Sequence, residues 1–200
     1  MVEQSQWMAK VEADPNHSSW YIERFRTMAA EGKDLAGEAR FIHTLVPPKS
    51  RILDAGCGPG RIGGHLAEAG HTVIGVDVDP TLIAAAEEDH PGPTWIVSDL
   101  AEFDLAAHGI TEKFDAIVCA GNVATFLAPR TRVEVLTRLG RCLTDEGRLA
   151  VGFGLGRDYA VDDFRANINE AGLTIELELE SWDIRPFTAE SGFIVALISK

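Results

Sequence analysis

A glycine-rich stretch between residues 50 and 64 constrains the fold of this chain more than any other feature. It reads SRILDAGCGPGRIGG, with glycines at every second position from 56 to 60. An apolar strand over residues 51–53 precedes it and ends at Asp54, and apolar residues at helical spacing follow from Ile62. Glycines reach backbone angles closed to other residues and let a ligand lie against bare main chain. The order of strand, turn and helix predicts a ligand-binding loop, with the N–H groups of the first helical turn facing the ligand.

Two classes of nucleotide-binding protein use such a loop. Residues 58–63 fit the G-x-G-x-x-G fingerprint of dinucleotide-binding proteins. Asp54 argues against that class, because a carboxylate just before the first glycine repels a pyrophosphate and suits a cation, such as the amino group of an amino-acid tail. The segment DAGCGPG at 54–60 resembles the first motif of the class I S-adenosylmethionine-dependent methyltransferases, an acidic residue followed by G-x-G-x-G. The resemblance implies S-adenosylmethionine, which carries a sulfonium, an ammonium and no phosphate, as the cofactor.

Strand and helix patterns alternate after the glycine-rich loop. This alternation predicts parallel βαβ units with right-handed crossovers. Asp79 and Pro80 are a suitable cap and first residue for the first of the later helices. The predicted strands cover residues 72–76, 94–97, 114–120 and 147–153, and the predicted helices cover 80–88, 130–143 and 162–171.

The last 28 residues follow a different pattern. Residues 174–180 alternate between apolar side chains and glutamates, which is typical of an edge strand with one wet face. Residues 193–198 are almost continuously apolar, which predicts a strand buried on both faces. No helix separates the two, so we expect an antiparallel hairpin with the apolar strand inside. This is the C-terminal arrangement of the methyltransferase family. The predicted fold is therefore α/β, a Rossmann-like doubly wound sheet of seven strands, mostly parallel with an antiparallel C-terminal hairpin.

The residues before the first strand are predicted to cover the sheet edge. Residues 1–16 are polar and are expected to form a loose arm. Two amphipathic helices should follow, with Ser18 or Ser19 as the cap of the first, a break near Gly32 and an end before residues 46–48, Val-Pro-Pro. We interpret them as lid helices over a ligand site. The predicted organisation is a single domain over 1–200, with the arm and lid at 1–48 and the Rossmann-like core at 49–200.

The composition limits which classes of partner and which cellular compartment we expect for this chain. The formal net charge of −13 argues against a nucleic-acid surface, because such affinity depends on basic contacts. The three cysteines cannot pair completely and none has C-x-x-C spacing, which favours a reducing, cytoplasmic setting. The first residues do not predict a signal peptide, and no stretch predicts a membrane span. The spacing of acidic residues and histidines predicts no metal site, and the sequence does not indicate an oligomeric state.

The strand ends locate the candidate cofactor residues, because ligands of open α/β sheets bind beyond the carboxyl ends of the strands. By family analogy, Asp54 and Gly56 hold the methionine end of the cofactor. Asp77 follows Asp54 by the spacing of a ribose-binding acid, and Val78 after it would touch the adenine face. Asp99 and the backbone N–H near Leu100 would bind the adenine edge. The predicted cofactor-binding residues are Asp54, Gly56, Cys57, Gly58, Gly60, Asp77, Val78, Asp99, Leu100 and Ala120.

The acceptor contacts are expected from the lid and from loops after the fourth and fifth strands. The candidates are Tyr21, Asn122, Arg157 and Tyr159, with Arg157 suited to an acidic acceptor. No general base is assigned; His17, beside the lid, is the best placed of the six histidines. The resulting hypothesis is methyl transfer from S-adenosylmethionine to a small molecule. Alternatives at this stage are an NAD(P)-dependent oxidoreductase and a non-catalytic nucleoside-binding subunit.

Overall fold

The structure, a computed structural model, describes residues 3–200. Three helices precede the first strand, and strands then alternate with helices before a final hairpin. The helices are α1 Gln6–Ala13, α2 His17–Ala30, α3 Gly37–Leu45, α4 Arg61–Glu68, α5 Pro80–Asp89, α6 Val123–Phe126, α7 Arg132–Cys142 and α8 Val161–Glu170, with short 3-10 turns at Ala106–His108 and Pro129–Thr131. The strands are β1 Arg51–Ala55, β2 Thr72–Asp77, β3 Thr94–Val97, β4 Phe114–Cys119, β5 Leu143–Gly154, β6 Thr174–Leu179 and β7 Phe193–Ser199.

The seven strands form one sheet in the order β3-β2-β1-β4-β5-β7-β6. The first five strands in this order are parallel to one another, and β7 lies antiparallel between β5 and β6. The predicted Rossmann-like sheet and its C-terminal hairpin are thus confirmed, with the apolar strand inside. The order reverses between β1 and β4, so a crevice opens beside the carboxyl end of β1, where the glycine-rich loop begins.

Both faces of the sheet are buried. Ile52 and Val73 face one core, to which α3 and α4 contribute Phe41 and Leu66. Leu53 and the other half of the alternating positions face a second core under α7 and α8. Central strands of a parallel sheet are expected to be apolar on both sides for this reason. None of the helices within residues 3–200 combines the length and the apolarity that crossing a membrane requires.

Strand β6 departs from the predicted strict alternation. Its register against β7 shifts between Ile175 and Leu177, where Ile175 pairs with Ile198 and Leu177 with Leu197. The extra residue forms a bulge, which turns the following side chains relative to the sheet. Leu177, expected on the buried face, is therefore 45% exposed.

The N-terminal arm is the largest correction to the sequence-based expectation. Residues 6–13 form α1, which the side chain of Ser5 caps by accepting a hydrogen bond from the Met8 N–H at 3.3 Å. The polar composition of this segment concealed one buried residue, Trp7, which packs against Ile22 and Leu82. Residues 1 and 2 of the predicted arm lie outside the described residues.

The two lid helices are confirmed, with one change in how the first begins. Helix α2 starts at His17, before the predicted caps, and the Ser18 hydroxyl donates instead to Asp79 at 2.5 Å. Helix α3 ends at Leu45, as the following Val-Pro-Pro predicts.

Candidate functional site

A cavity of about 590 Å³, including the space at its open mouth, lies at the carboxyl ends of the strands, beneath α1 and α2. The loop after β1 contributes Gly56 and Gly58, and Trp7 and Tyr21 cover the cavity. Six of the predicted cofactor residues meet here, from the loops after three neighbouring strands: Gly56, Gly58, Asp77, Val78, Asp99 and Leu100. The lining is mostly apolar and includes the carboxylates of Asp77 and Asp99. No lysine, arginine or histidine of the described chain lines the cavity. Such a cavity suits a ligand with positive charge and a planar apolar part.

The glycine-rich loop is fixed by hydrogen bonds to β2. The N–H groups of Gly56 and Cys57 both donate to the Val76 carbonyl, at 2.8 and 3.1 Å. The Gly58 N–H donates to the Asp77 carboxylate at 2.8 Å. Gly56 has a φ of +79°, and a Cβ on it would lie 2.4 Å from the Val123 side chain. The loop therefore requires glycine at this position both for its backbone angle and for its close approach to α6.

Asp54 lies behind the loop rather than in the cavity. Its side chain is buried, and its Oδ2 accepts the N–H of Gly63, in the first turn of α4, at 2.9 Å. The start of a helix attracts anions, and dinucleotide-binding proteins place their pyrophosphate there. Here the chain's own carboxylate takes that position. The sequence predicted that the N–H groups of the first turn of α4 face the ligand. For Gly63 this is wrong, because its N–H donates to Asp54. A pyrophosphate is therefore disfavoured at this helix start.

Asp77 faces the cavity while holding two backbone groups. Besides the Gly58 N–H on Oδ2, its Oδ1 accepts the Asp79 N–H at 3.0 Å. The residue is 8% exposed, and this exposure is toward the cavity that it lines. Each carboxylate oxygen has two acceptor positions, so both can still accept hydrogen bonds from a ligand. On the next strand loop, Asp99 uses Oδ1 for the Ala101 N–H at 2.8 Å and also lines the cavity.

Three other predicted cofactor residues lie further from this cavity or outside it. Cys57 and Ala120 line a smaller neighbouring space of about 350 Å³, including its opening to solvent, which also touches Gly56 and Gly58. Gly60 lines none of the described cavities. It is the N-cap of α4, with a φ of +81°, and a Cβ on it would meet Ala86 at 2.8 Å and the Trp95 ring at 3.0 Å. Gly60 therefore serves helix packing, as does Gly63, whose added Cβ would lie 2.8 Å from the same ring.

A single carboxylate fastens the lid to the core. Asp79 caps α5 as predicted, with Oδ1 accepting the Thr81 N–H at 2.8 Å. Its Oδ2 accepts both the Trp7 indole N–H at 2.9 Å and the Ser18 hydroxyl at 2.5 Å. Helix α1 and the first lid helix, α2, are thereby tied to α5, the helix that follows β2. Sequence reasoning missed Trp7, although Ser5 as a cap and apolar residues at 7, 8 and 11 would have indicated a short helix.

We expect Trp7→Phe to weaken ligand retention without unfolding the protein. Phenylalanine keeps most of the ring contacts with Tyr21 and Phe126, whose centroids lie 5.2 and 5.6 Å away. It removes the indole N–H that holds the lid to Asp79. A hydrogen bond to a charged group contributes about 1.5–3 kcal/mol, so dissociation of a bound ligand should quicken about tenfold. Stopped-flow fluorescence measures this rate, and an unchanged rate would contradict the fastening role of the contact.

A second and wider cavity adjoins the first. It measures about 1230 Å³ including its open mouth, and it shares Trp7, Tyr21, Gly121 and Phe126 with the first. Three of the four predicted acceptor residues line it, namely Tyr21, Asn122 and Arg157. His17 lines it as well, with its ring centroid 4.9 Å from that of Trp7. Tyr21 lies at the junction, because it borders both cavities and the smaller space between them.

Tyr159 is the predicted acceptor residue that the structure places elsewhere. It is 2% exposed and stacks on Phe153 with ring centroids 5.5 Å apart. The Arg132 guanidinium covers its ring at 4.0 Å, and its hydroxyl accepts a hydrogen bond from Asn167 at 2.9 Å. The chain turns back into the core after the exposed residue Arg157, so this phenol packs under α7 and α8 instead of lining the site.

Comparison with known proteins identifies the family. A family model described as a methyltransferase domain matches residues 52–147. The crystal structure of a TehB-like SAM-dependent methyltransferase from Corynebacterium glutamicum is 44% identical, with a TM-score of 0.88 over 94% of this chain and 100% of that one. The chain belongs to the class I S-adenosylmethionine-dependent methyltransferases. S-adenosylmethionine is the cofactor of this family, so the sequence-based resemblance and its cofactor are confirmed.

Curated methyltransferases match over shorter stretches. The putative methyltransferase YqeM of Bacillus subtilis is 31% identical over 55% of this chain and 44% of its own length. A ubiquinone biosynthesis O-methyltransferase of Actinobacillus pleuropneumoniae is 30% identical over 49% of this chain and 50% of its own. The chain thus spans about half the length of these curated relatives. The matches favour a methyltransferase over the dinucleotide-dependent oxidoreductase that residues 58–63 also fit.

The residues that line the first cavity of this methyltransferase fit S-adenosylmethionine. Two carboxylates face a space without basic residues, which suits a ligand that carries a sulfonium and an ammonium. Val78, Leu82 and Leu100 offer apolar surface for a planar base. Within residues 3–200, no group of three or more histidine, cysteine or acidic side chains is arranged to hold a metal ion.

Buried acids make the stability of this methyltransferase depend on pH. Burial raises the pKa of Asp54 to about 7 and that of Asp77 to about 6. A carboxyl group with a raised pKa binds more protons in the folded than in the unfolded state, so its contribution to stability is present at low pH and is lost as pH rises through the folded pKa. For Asp54, the loss between pH 5.5 and 8 is about 2 kcal/mol by this linkage.

The variant Asp54→Asn isolates that contribution. Asparagine keeps an oxygen for the Gly63 N–H but does not titrate. We expect the free energy of unfolding of Asp54→Asn, relative to the ligand-free wild type, to rise by about 2 kcal/mol from pH 5.5 to pH 8. Urea unfolding at the two pH values measures the difference. If the variant and the wild type differed by the same free energy of unfolding at both pH values, Asp54 would be ionised throughout this range.

Proposed function

We propose that this protein transfers the methyl group of S-adenosylmethionine to a small organic acceptor bound in the wider cavity. The observation that carries the proposal is the position of Tyr21, which lines both the cavity that holds the predicted cofactor residues and the wider cavity beside it. When bound, S-adenosylmethionine supplies a methyl group already activated by its sulfonium. The chain's task is then to align the acceptor and to exclude water.

The first cavity suggests how the cofactor is held. The oxygens of Asp77 accept the ribose hydroxyls, while Asp99 and the Leu100 N–H bind the adenine edge. Val78 lies against the adenine face. The bare backbone of Gly56 and Gly58 allows close approach of the methionine part. Asp54 acts through the loop, because it holds the start of α4 in place at Gly63.

The wider cavity suggests how the acceptor is held. Tyr21 contributes a hydroxyl at the junction, and burial raises the pKa of this phenol above its usual value. It therefore stays protonated at neutral pH and serves as a hydrogen-bond donor. Asn122 is held at the rim, because its Oδ1 accepts the Gly154 N–H at 2.7 Å. With a net charge of −13, we propose a small-molecule acceptor and no nucleic acid.

A named relative supports the small-molecule acceptor, and the free cysteines support the proposed cellular compartment. The Actinobacillus relative is named as an O-methyltransferase of ubiquinone biosynthesis, a small-molecule reaction. All three cysteines, Cys57, Cys119 and Cys142, are free thiols. Free thiols are usual in reducing compartments, so we propose that the protein acts in the cytoplasm.

Thermal unfolding with single ligands tests the cofactor part. S-adenosylmethionine or S-adenosylhomocysteine at 100 times its dissociation constant should add about 2.7 kcal/mol. For a chain of this size the midpoint should rise by roughly 5–10 °C. NAD and NADP should leave it unchanged. A rise with the dinucleotides alone would overturn the proposal.

Turnover tests the catalytic part. The protein is incubated with S-adenosylmethionine and a panel of phenols, amines, thiols and carboxylic acids, and formation of S-adenosylhomocysteine is followed. We expect at least one class to be methylated, and Asp77→Ala is the inactive control. Stabilisation by S-adenosylhomocysteine without turnover on any class would favour the non-catalytic nucleoside-binding subunit instead.

A further inference from the structure

The lining of the wider cavity has more basic than acidic side chains, although the chain as a whole has a net charge of −13. Its lining includes the cations Lys10, Arg24, Arg61 and Arg157, and two acids, Asp34 and Glu38. Both acids are neutralised. Glu38 forms an ion pair with Arg61 at 2.6 Å, and Asp34 forms one at the same distance with Arg40, outside the cavity lining.

Three cations of this cavity have no acidic partner among residues 3–200: Lys10, Arg24 and Arg157. They come from three separate parts of the chain, α1, α2 and the loop after β5. The chain as a whole has 31 acidic and 18 basic residues, whereas the lining of this cavity has four Lys and Arg residues and two acids, both of them in ion pairs. The cavity is thus the complement of an anion, whereas the cofactor cavity beside it is the complement of a cation.

Aromatic rings surround these charges. Three of the chain's four tryptophans line the cavity, namely Trp7, Trp20 and Trp182, together with Tyr21, Phe25 and Phe126. Trp20 is 56% exposed there, an unusual position for so large an apolar side chain. The Arg24 guanidinium lies 5.8 Å from the Trp20 ring centroid and 5.9 Å from that of Phe25. Flat apolar surfaces with cations beside them favour a planar ring that bears a negative charge.

Lys10 places part of this charge close to the cofactor. Its Nζ lies 5.9 Å from the ring centroid of Phe126, which lines both cavities. An acceptor ring in the wider cavity therefore meets a cation on its cofactor side as well as at the mouth, where Arg157 lies exposed on its loop.

We propose that the acceptor is an aromatic acid, whose ring packs against the tryptophan and phenylalanine side chains and whose negative charge is attracted by the three cations of the lining. This inference rests on the proposed function and narrows its substrate class. It assigns Lys10, Arg24 and Arg157 as specificity-determining residues, since they favour the anion over a neutral molecule of the same shape. Arginine and lysine both bind carboxylates, and arginine in addition lies flat on aromatic rings.

A matched pair of probes tests the charge preference without requiring turnover. The protein is saturated with S-adenosylhomocysteine, and binding of 1-naphthoate and 1-naphthamide is measured by calorimetry. The two probes share the ring system and differ in charge. We expect 1-naphthoate to bind at least about tenfold more tightly at low ionic strength, with the advantage shrinking as salt is added. Equal affinities would overturn the proposal.

Two triple variants assign the effect to the cavity. The variant Lys10→Gln, Arg24→Gln, Arg157→Gln should lower the affinity for 1-naphthoate to that for 1-naphthamide and leave the latter unchanged. The control Lys33→Gln, Arg130→Gln, Arg141→Gln removes three cations outside the cavity and should keep the preference. If the control variant lost the preference for 1-naphthoate equally, the preference would arise from net charge, and the proposed anion site would be overturned. Failure of S-adenosylhomocysteine to stabilise the protein would instead contradict the proposed function.

Discussion

Replacing Asp77 with alanine is expected to weaken S-adenosylmethionine binding by at least about a hundredfold. Each hydrogen bond between a ligand hydroxyl and a carboxylate contributes about 1.5–3 kcal/mol, and the proposal gives this side chain both ribose hydroxyls. The same substitution leaves the Gly58 and Asp79 N–H groups without their acceptor. We therefore also expect the midpoint of thermal unfolding to fall by a few degrees. Calorimetric titration measures the affinity.

The matched control for this result is Asp115→Ala. Asp115 also accepts a backbone N–H, that of Arg51 at 2.9 Å, but it begins β4 at the opposite end of the sheet. It should lower stability without changing the affinity for S-adenosylmethionine. If Asp115→Ala weakened binding as much as Asp77→Ala, the loss would arise from general destabilisation and the ribose assignment would be wrong.

Replacing Gly56 with alanine is expected to have the largest effect on folding. At a φ of +79°, alanine costs about 1–2 kcal/mol. Its Cβ would also lie 2.4 and 2.5 Å from the two methyl groups of Val123, and overpacking of this kind costs about 1–3 kcal/mol. Together these terms should lower the midpoint of thermal unfolding by roughly 5–15 °C. The loop must also shift away from Val123, so cofactor binding should be lost with it.

Two further variants separate the backbone cost from the steric cost. Gly109 has a φ of +75° with nothing within 4 Å of an added Cβ, so Gly109→Ala should show the backbone cost alone. The double variant Gly56→Ala, Val123→Ala removes the two closest contacts, leaves the Val123 Cβ at 3.0 Å, and should recover part of the difference. Equal midpoints for Gly56→Ala and Gly109→Ala would contradict the close approach of the loop to α6.

The sequence predicted the sheet well because its signals are local. The C-terminal strands could be ordered from composition alone, since one is striped with glutamate and the other, Phe193–Ser199, is apolar throughout. Asp77 and Asp99 could be placed at the site because parallel strands end at the same edge. The packing role of Gly60 could not be predicted for the opposite reason: the ring that excludes a side chain there belongs to Trp95, 35 residues later.

The lid and the acceptor cavity depend on contacts between distant parts of the chain. Trp7 is buried against Ile22 and Leu82 and donates its indole N–H to Asp79, 72 residues later, and the N-terminal segment by itself does not indicate these distant partners. Arg157 and Tyr159 lie two residues apart in a segment whose sequence predicts a single exposed loop. One turns into the core and the other faces the cavity, and only the packing of α7 and α8 decides between them.

The position of Asp54 has a consequence for selectivity among adenosine compounds. ATP and S-adenosylmethionine share the same base and sugar, so contacts such as those proposed for Asp77 and Asp99 recognise both. The two differ in the tail, which is polyanionic in one and cationic in the other. Because the Asp54 carboxyl group already occupies the N–H of Gly63 at the start of α4, that N–H is not free to bind a triphosphate. Rejection of the more negative metabolite is thus a property of the folded loop itself, established before any ligand arrives.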